Sequence, residues 1–580
     1  MFVEQAFNNL SINAKPSYMK ATFRLIATFL VIPVLYCAPL FTQNASAQSA
    51  KSCDSLDGAG KLIGLDFSTA NQQYLREGLK DYLAFYLELR KYPLPNQVPP
   101  AVWFNPIPVG KSLSSYTIAP KGNPGIKKEV KLPADMNALA FYPVGDLAVL
   151  LRTRKISSVK LTQFFIDRLK KYNPQINCVV TFTEELAMSQ ARRADAEIAG
   201  GKYRGPLQGI PFGVKDLLSV KGYPTTWGAA PYKDQMLSET ATVVDQLEKA
   251  GAVLVAKLSM GELAIDDIWF GGTTHNPWDL EQGSSGSSAG SASAVSAGLL
   301  PFAIGSETWG SIVSPATRCG VTGLRPTYGR VSRYGAMALS WTMDKLGPIC
   351  RNASDCALVF EVISQKDVRD PAQYDLPFNF PPAIDLKKLR VGYLKTAFLL
   401  DTINRQTNMA SLEMLRKMGY ELVAVEMPKD LPIKALSIIL EAEAAAAFDE
   451  ITRNGKVDML ARKEKGYWPD IFRRARFIPA VEYIQANRFR TQLVTEMNKL
   501  FDNVDLIVSP SMDDAQSLIT NLTGNPCVVV PNGLYDGKHP GSISFIGKLF
   551  DDATVLAFAK AFQEVTSFDE MHPPLFVGKH

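Results

Sequence analysis

The sequence predicts an α/β fold in which helices cover both faces of a mixed central β-sheet. The 580-residue chain is 46% hydrophobic and 21% charged, so it has enough apolar side chains for one large core or two to three ordinary cores. From about Leu139 onward, helix-like segments alternate with short apolar segments of strand length. Repeated helix–strand units are typical of a mostly parallel or mixed sheet, and we expect one α/β domain over residues 139–576.

The first unit begins where Ser157 or Ser158 can cap a helix. The apolar positions on one face of this helix are Leu161, Phe165, Leu169 and Tyr172. We expect the helix to end at Asn173 and Pro174, because proline interrupts helical hydrogen bonding. The apolar segment Cys178–Phe182 then predicts a buried strand.

The same order of helix, glycine and strand recurs twice. In Thr242–Lys257 the helix is expected to end near Gly251, and in Leu389–Glu426 near Gly419, because glycine readily adopts the left-handed conformation that closes helices. Further strands are expected at Asp505–Val508 and Cys527–Pro531.

The N-terminal segment 1–47 has the composition of a signal peptide. Lys20 and Arg24 precede the apolar run Leu25–Leu40, and an A-x-A pattern ends at Ala47, which is the order of a secretory signal. Met19 fits the true start of such a signal. We expect cleavage after Ala47 and export of the mature chain to the periplasm or the medium.

The alternative for this segment is an uncleaved membrane anchor. Pro33 and Pro39 interrupt the apolar run, whereas a transmembrane helix needs about 18 or more apolar residues in succession. The sequence therefore predicts no stable membrane span once the signal is removed.

Residues 48–138 are expected to form an arm outside the α/β domain. Leu65–Arg90 has helical character, and Tyr92–Pro108 is rich in proline. The apolar side chains of this arm are Leu83, Phe85, Tyr86, Leu87, Trp103 and Phe104. We expect most of them to pack on the core of the larger domain.

Charge and histidine content exclude several classes of function. Lys and Arg number 62 and Asp and Glu 57, which gives a net charge of +5 spread evenly along the chain, so nucleic acid is not an expected partner. The four histidines are His275, His539, His572 and His580. None lies at metal-ligand spacing, so we expect neither a metal nor another cofactor.

Six cysteines remain after the signal segment: Cys53, Cys178, Cys319, Cys350, Cys356 and Cys527. An exported chain can oxidise some of them, and a bridge between Cys350 and Cys356, or one to Cys53, is conceivable. Spacing alone does not assign the pairs. No C-x-x-C pattern is present, which disfavours a redox or zinc role.

The segment Gly283–Gly320 is unusually rich in Ser, Gly and Ala. A flexible linker has this composition, but the apolar segment Leu299–Ile304 within it must be buried in a domain. Such a segment allows a backbone to approach a ligand closely, and it leaves hydroxyls as its reactive groups.

Gly286–Gly290 matches the G-x-S-x-G pattern that places a nucleophilic serine at a sharp turn. That pattern requires a preceding strand and a histidine base. Here the preceding residues Asn276–Glu281 are turn-like, and the later histidines lie in polar or terminal segments. A Ser-His-Asp triad is therefore disfavoured.

Lysine is the remaining candidate for a base. Lys215 ends the apolar segment Gly209–Asp216, where burial would disfavour its charged form and lower its pKa. A neutral amine could then accept a serine proton. Taken by itself, Lys215 fits equally a solvated end of a strand.

Together these segments resemble the amidase signature family. The resemblance depends on Gly209–Leu217, the Ser/Gly-rich run, and Gly305–Ile312 followed by Gly323–Gly329. It extends from about Leu139 to Phe576, and it implies the amidase signature fold, a mixed sheet with helices on both faces.

The resemblance also implies a catalytic triad. Lys215 matches the base, Ser287 a bridging serine that follows a cis peptide bond, and Ser311 the nucleophile. Ser288 is expected to brace the loop. The backbone N–H groups expected to form the oxyanion hole belong to Thr308, Trp309, Gly310 and Ser311.

The chain departs from the family pattern around the nucleophile. Glu307 replaces the usual aspartate, Trp309 a glycine, and Val313 a basic residue. We expect Trp309 either to form a wall of the pocket or to pack under the loop. We expect Arg318 to supply the positive partner that Val313 cannot give to Glu307.

The function implied is hydrolysis of an amide carbon–nitrogen bond through an acyl-enzyme on Ser311, with a small or peptide-like amide as substrate. Two alternatives remain: a catalytically silent binding protein on the same fold, and a glutaminase-type subunit of an amidotransferase. Export argues against the second, whose partners are cytoplasmic. The assembly state is open, with a homodimer among the candidates.

Overall fold

The structure, a computed structural model, describes residues 56–65, 68–92, 94–123 and 129–577. The predicted signal segment 1–47 and Cys53 lie outside the described residues. Residues 58–580 form one compact unit, which includes the described part of the arm from Gly58 onward. Met1–Asp57 form a separate unit, of which only Leu56 and Asp57 are described.

The helices of the described residues are α1 (Leu56–Leu62), α2 (Thr69–Leu89), α3 (Val144–Arg152), α4 (Ser158–Ile176), α5 (Glu184–Ala199), α6 (Thr242–Lys249), α7 (Ala289–Ser296), α8 (Val313–Cys319), α9 (Ala353–Ile363), α10 (Lys395–Leu400), α11 (Arg405–Lys417), α12 (Ile438–Ala447), α13 (Asp449–Arg453), α14 (Trp468–Ala475), α15 (Ala480–Asn503), α16 (Asp514–Thr523) and α17 (Asp552–Thr566).

The strands of the described residues are β1 (Val179–Phe182), β2 (Pro211–Lys215), β3 (Val253–Leu258), β4 (Ile268–Trp269), β5 (Gly272–Thr273), β6 (His275–Asn276), β7 (Asp279–Gly283), β8 (Phe302–Glu307), β9 (Thr322–Arg325), β10 (Lys345–Cys350), β11 (Val391–Leu394), β12 (Leu422–Val425), β13 (Leu506–Pro510), β14 (Cys527–Leu534) and β15 (Pro540–Gly547).

Among the described residues, eleven strands form one twisted sheet in the order β1-β3-β2-β8-β10-β9-β14-β15-β13-β11-β12. β2 pairs in parallel with β3 and β8, and β11 with β12 and β13. The remaining neighbours pair antiparallel, including β8 with β10 and β14 with β15. The sheet is therefore mixed, which confirms the predicted fold class.

Each face of this sheet has its own apolar core. On β8, Phe302 and Ile304 belong to one core and Ala303 to the other, as the alternation of side chains along a strand requires. α9 and α17 contribute to the first core, and α7, α8 and α16 to the second. Helices therefore cover both faces.

The predicted helix–strand units are present, with one boundary moved. Ser157 caps α4 through a hydrogen bond that its hydroxyl accepts from Lys160 N–H. The helix does not end at Asn173 and Pro174 but continues to Ile176. Pro174 lies in the last turn, where the loss of one N–H donor affects few later hydrogen bonds, and the left-handed Asn177 closes the helix.

The arm differs from expectation. α2 is a helix as predicted, but its apolar side chains do not pack on the core: Leu83, Phe85, Tyr86 and Leu87 are 49–61% exposed. Trp103 is also exposed, at 54%. Only Phe104 packs inward, edge-on to Tyr328 with its ring centroid 5.3 Å away. No helix in the described part combines the length and apolar character that crossing a bilayer requires.

The five cysteines that the structure describes are free and buried. Cys350 and Cys356 do not form the conceivable bridge. Burial, followed by a hydrogen bond with Cys356, raises the pKa of Cys350 well above the usual thiol value. Both thiols therefore behave as small core side chains.

Candidate active site

Lys215 is the last residue of the central strand β2, where a fully buried segment carries it into the interior. Its side chain has no exposed surface. The amine Nζ lies 2.7 Å from Ser287 Oγ, 3.1 Å from Ser288 Oγ and 2.9 Å from Ser306 Oγ. Within the described residues no carboxylate lies at salt-bridge distance from it. The lysine is therefore surrounded by neutral hydroxyls.

This environment favours the neutral amine. Burial lowers the pKa of Lys215 well below its ordinary value, and the opposing charges of Asp344 and Glu307 do not compensate. A neutral amine has two N–H donors and one lone pair, which matches three hydroxyl neighbours. The amine can therefore accept one hydroxyl proton.

The hydrogen bonds of Ser288 limit which hydroxyl can give that proton. Ser288 Oγ donates to the backbone carbonyl of Ser306 at 3.0 Å and accepts from Ser306 N–H at 3.1 Å. Its proton is thus committed, so Ser288 accepts a hydrogen bond from Lys215. The lone pair of Lys215 is left for Ser287 or Ser306, and Ser288 lies where a bracing residue was expected.

The loop before α7 holds Ser287 in place. The peptide bond between Gly286 and Ser287 is cis. A Cβ atom on Gly286 would lie 1.8 Å from the carbonyl oxygen of Asp266, so only glycine fits there. Ser285 N–H also donates to Asp267 Oδ2 at 2.7 Å, so the loop is fixed against the segment 266–267.

Ser311 follows the end of β8 and lies beside this loop. Ser288 N–H donates to the Ser311 carbonyl at 3.2 Å, which joins the two segments. The Ser311 hydroxyl makes no hydrogen bond to any described residue, and the residue keeps 8% of its surface exposed. The structure therefore brings Ser311 next to the Ser287 loop with its hydroxyl free to meet a substrate.

The backbone between Glu307 and Ile312 offers unpaired donors. In the part of the chain that the structure describes, the N–H groups of Thr308, Trp309, Gly310 and Ser311 have no hydrogen-bond acceptor. Gly310 has φ of +83°, a conformation that glycine adopts without strain. Four adjacent free donors can stabilise negative charge on an oxygen.

Glu307 supports this segment from beneath. One carboxylate oxygen accepts from Ile312 N–H at 2.9 Å and Val313 N–H at 3.0 Å. The other accepts from Arg325 Nη1 at 2.9 Å and from Asn521 Nδ2 at 2.8 Å. A single buried carboxylate thus ties the nucleophile segment to β9 and α16.

The cation beside Glu307 is not the expected one. Arg318 lies on the exposed side of α8 and donates to Gln282 instead. Arg325 is fully buried and makes the ion pair. Sequence reasoning missed Arg325, although it stands in the Gly323–Gly329 segment that carried the family resemblance.

Trp309 packs against the second core rather than along the cavity nearest to Thr308, whose lining does not include it. The alternative Ser-His-Asp triad has no support in the geometry. Ser288 is fully buried, and His539 contacts Asp279, Asp536 and Gln282 rather than a serine. No cluster of three metal-ligating side chains occurs among the residues described.

A family model described as Amidase matches residues 160–519, more than half of the chain. The chain belongs to the amidase family. The bacterial aryl acylamidase of the amidase signature enzymes shares the fold, with a TM-score of 0.68 at 22% identity over 76% of this chain and all of that one. This amidase is accordingly a hydrolase of amide carbon–nitrogen bonds.

Two further relatives are closer in sequence. The peptide amidase from Stenotrophomonas maltophilia is 26% identical with a TM-score of 0.67, over 74% of this chain and 98% of that chain. A glutamyl-tRNA(Gln) amidotransferase component from Carboxydothermus hydrogenoformans is 32% identical over 488 residues, which are 75% of this amidase and all of the relative.

The pKa of Glu307 makes its contribution to stability testable. Burial raises this pKa, but the charge and hydrogen bond of Arg325, with the bonds from Val313 and Asn521, outweigh burial and lower it to about 2. The unfolded value is near 4.3. The ionised carboxylate therefore stabilises the fold fully above about pH 4.5, and this contribution is lost as pH falls toward 2.

We predict that Glu307→Gln lowers the free energy of unfolding by about 3–5 kcal/mol at pH 7, because Arg325 stays buried without its partner. Denaturant unfolding across pH should show the deficit shrinking below about pH 4.5. The exposed Glu421→Gln is the control and should change stability by less than about 0.5 kcal/mol. A deficit that stays constant down to pH 3 would contradict this assignment.

Proposed function

We propose that this amidase hydrolyses a small or peptide-like amide through an acyl-enzyme on Ser311, with Ser287 as the bridging serine and Lys215 as the base. The observation that carries the proposal is the buried Lys215 amine, 2.7 Å from Ser287 and without a carboxylate partner in the described part of the chain. No other described base lies near a serine in this way.

In the proposed first step, Ser311 Oγ attacks the carbonyl carbon of the amide. Its proton passes to Ser287 Oγ as the Ser287 proton passes to Lys215 Nζ. The oxygen of the tetrahedral intermediate becomes negatively charged while Lys215 becomes an ammonium ion. A protonated lysine could not take this proton, so its depressed pKa is essential.

Collapse of the intermediate breaks the carbon–nitrogen bond. The proton held by Lys215 returns through Ser287 to the leaving nitrogen, which departs as an amine or ammonia. Water then attacks the acyl-enzyme by the same proton route and releases the acid. The free N–H groups of Thr308 to Ser311 stabilise both oxyanions, each donor contributing roughly 3–4 kcal/mol in other enzymes.

The substrate and location are part of this proposal. Likeness to a peptide amidase supports a peptide-like or small amide. The basic and apolar composition of residues 20–40, followed by A-x-A, supports a signal peptide and an exported enzyme. An exported amidase would meet free amides outside the cytoplasm.

A second candidate is a glutaminase-type subunit. The 32% identity to glutamyl-tRNA(Gln) amidotransferase components, of whose length this chain covers 99% or more, favours it. Such a subunit would pass ammonia to a partner chain. The two candidates share the chemistry at Ser311 but differ in whether the chain works alone.

We predict that a fluorophosphonate probe labels Ser311 in the mature protein from Gln48 onward, since an activated serine attacks phosphorus as it attacks a carbonyl. Peptide mass mapping locates the label. Ser311→Ala should abolish labelling, whereas Ser314→Ala, three residues further along, should retain it. Label on Ser288 would revive the G-x-S-x-G alternative, and no label on a folded sample would favour a silent binding protein.

We predict that the labelling rate rises with pH and levels off well below pH 10.4, the ordinary pKa of lysine, because only neutral Lys215 is a base. Lys215→Met, neutral and similar in length, should lower the rate by at least about 100-fold. Melting curves check that the variant folds. A wild-type rate that keeps rising to pH 10 would mean that Lys215 is an ordinary ammonium ion.

We predict that the purified chain alone hydrolyses simple amides, measured as ammonia or amine release. Glutamine should be no better a substrate than other primary amides of similar size, because no amidotransferase partner is needed. Activity restricted to glutamine, and dependent on added amidotransferase partner chains, would instead support the glutaminase-type subunit.

A further inference from the structure

A small cavity of about 70 Å³ lies directly beside the oxyanion segment. Ser306 and Thr308 line it, as does Leu217, two residues after Lys215. Ser306 Oγ is 2.9 Å from Lys215 Nζ. The cavity therefore borders the catalytic groups.

The charged groups around this cavity already have partners. Arg333 pairs with Asp370 at 2.9 Å. Asp344 accepts hydrogen bonds from Thr308 Oγ1 at 2.6 Å, Leu339 N–H at 2.8 Å and Ser340 N–H at 3.0 Å. The remaining lining is mainly apolar and includes Leu217, Ala264, Met337, Leu339, Trp341 and Leu346. The cavity thus suits a compact apolar group.

One wall of the cavity comes from the N-terminal arm. Gln97 and Pro99 line it, and both lie outside the region 160–519 that the family model matches. Asn96 holds this piece of the arm in place: its amide nitrogen donates to the Ala338 carbonyl at 2.9 Å, and its amide oxygen accepts from Ala338 N–H at 2.7 Å.

We propose that the arm segment Asn96–Pro99 is a specificity element that closes the acyl subsite and restricts it to short apolar acyl groups. This inference rests on the proposed function. The lining includes Thr308 of the oxyanion segment but not Ser287, which returns the proton to the leaving nitrogen. The group next to this cavity is therefore the acyl side chain rather than the amine.

The volume sets the size of the acyl group. A cavity of roughly 150 Å³ holds benzene in another protein, so about half that volume takes a group smaller than a phenyl ring. Acetyl to butyryl groups fit, and a hexanoyl chain requires the arm to move. The arm acts here by steric exclusion and does not touch the reacting atoms.

The test uses alkanesulfonyl fluorides, whose sulfur binds to the nucleophile oxygen and whose alkyl group takes the place of the acyl side chain. The measured quantity is the ratio of the Ser311 labelling rate with hexanesulfonyl fluoride to that with methanesulfonyl fluoride. In the wild-type protein this ratio should be well below one. In Asn96→Ala and Gln97→Ala it should rise by about tenfold or more, since a few methylenes change discrimination by that amount.

Asn105→Ala is the matched control. Asn105 lies in the same arm, and its side chain accepts from Tyr374 OH at 2.9 Å, so it also tethers the arm but does not line the cavity. Its ratio should equal that of the wild type. Melting curves establish that all three variants fold.

The outcomes separate the two proposals. A ratio unchanged in both cavity variants, or equal labelling by both reagents in the wild type, would overturn the role of the arm while leaving Ser311 as nucleophile. No labelling of Ser311 by any reagent in folded protein would overturn the proposed function itself. If Asn96→Ala changes selectivity only across acetyl amides of different amines, the cavity holds the leaving group and the acyl assignment is wrong.

Discussion

The site depends on one constraint: Lys215 is buried without a counter-ion among the described residues. Three carboxylates lie near it in sequence or in space, and each is committed elsewhere. Asp216, its neighbour in the chain, lies 2.7 Å from Lys257 Nζ. Glu307 binds Arg325, and Asp344 accepts from Thr308 and two backbone N–H groups. Since no acid pairs with the amine, burial decides its charge, and the neutral form prevails.

The same commitments build the rest of the site. The carboxylate of Glu307 that is withheld from Lys215 orders the segment with the free N–H donors, and Asp344 fixes the side chain of Thr308 at the start of that segment. The contacts that keep the base neutral thus also position the oxyanion donors. Loss of one such carboxylate would disturb geometry and charge together, which makes the site sensitive to residues that never touch a substrate.

Local sequence predicted those parts of the molecule that local chemistry determines. Glycine positions and apolar periodicity identified the helix–strand units, and the motifs around Lys215, Ser287 and Ser311 identified the residues that the structure brings together. The predicted partner of Glu307 was wrong because the true partner depends on sheet order: Arg325 on β9 reaches a residue of β8 across β10, and spacing along the chain favoured the nearer Arg318. The exposure of Leu83 and Phe85 on α2 was likewise missed, since apolar composition does not reveal whether another element covers a helix.

The most direct test of this account is the charge of Lys215 itself. The protein is labelled with ¹³C at lysine Cε, and the Lys215 signal, assigned by its absence in Lys215→Met, is followed by NMR from pH 6 to 10.5. The account predicts that this signal has the shift of a neutral amine at pH 8, where exposed lysines are still ammonium ions. An ammonium shift that persists to pH 10 would contradict it, and with it the role of Lys215 as the base.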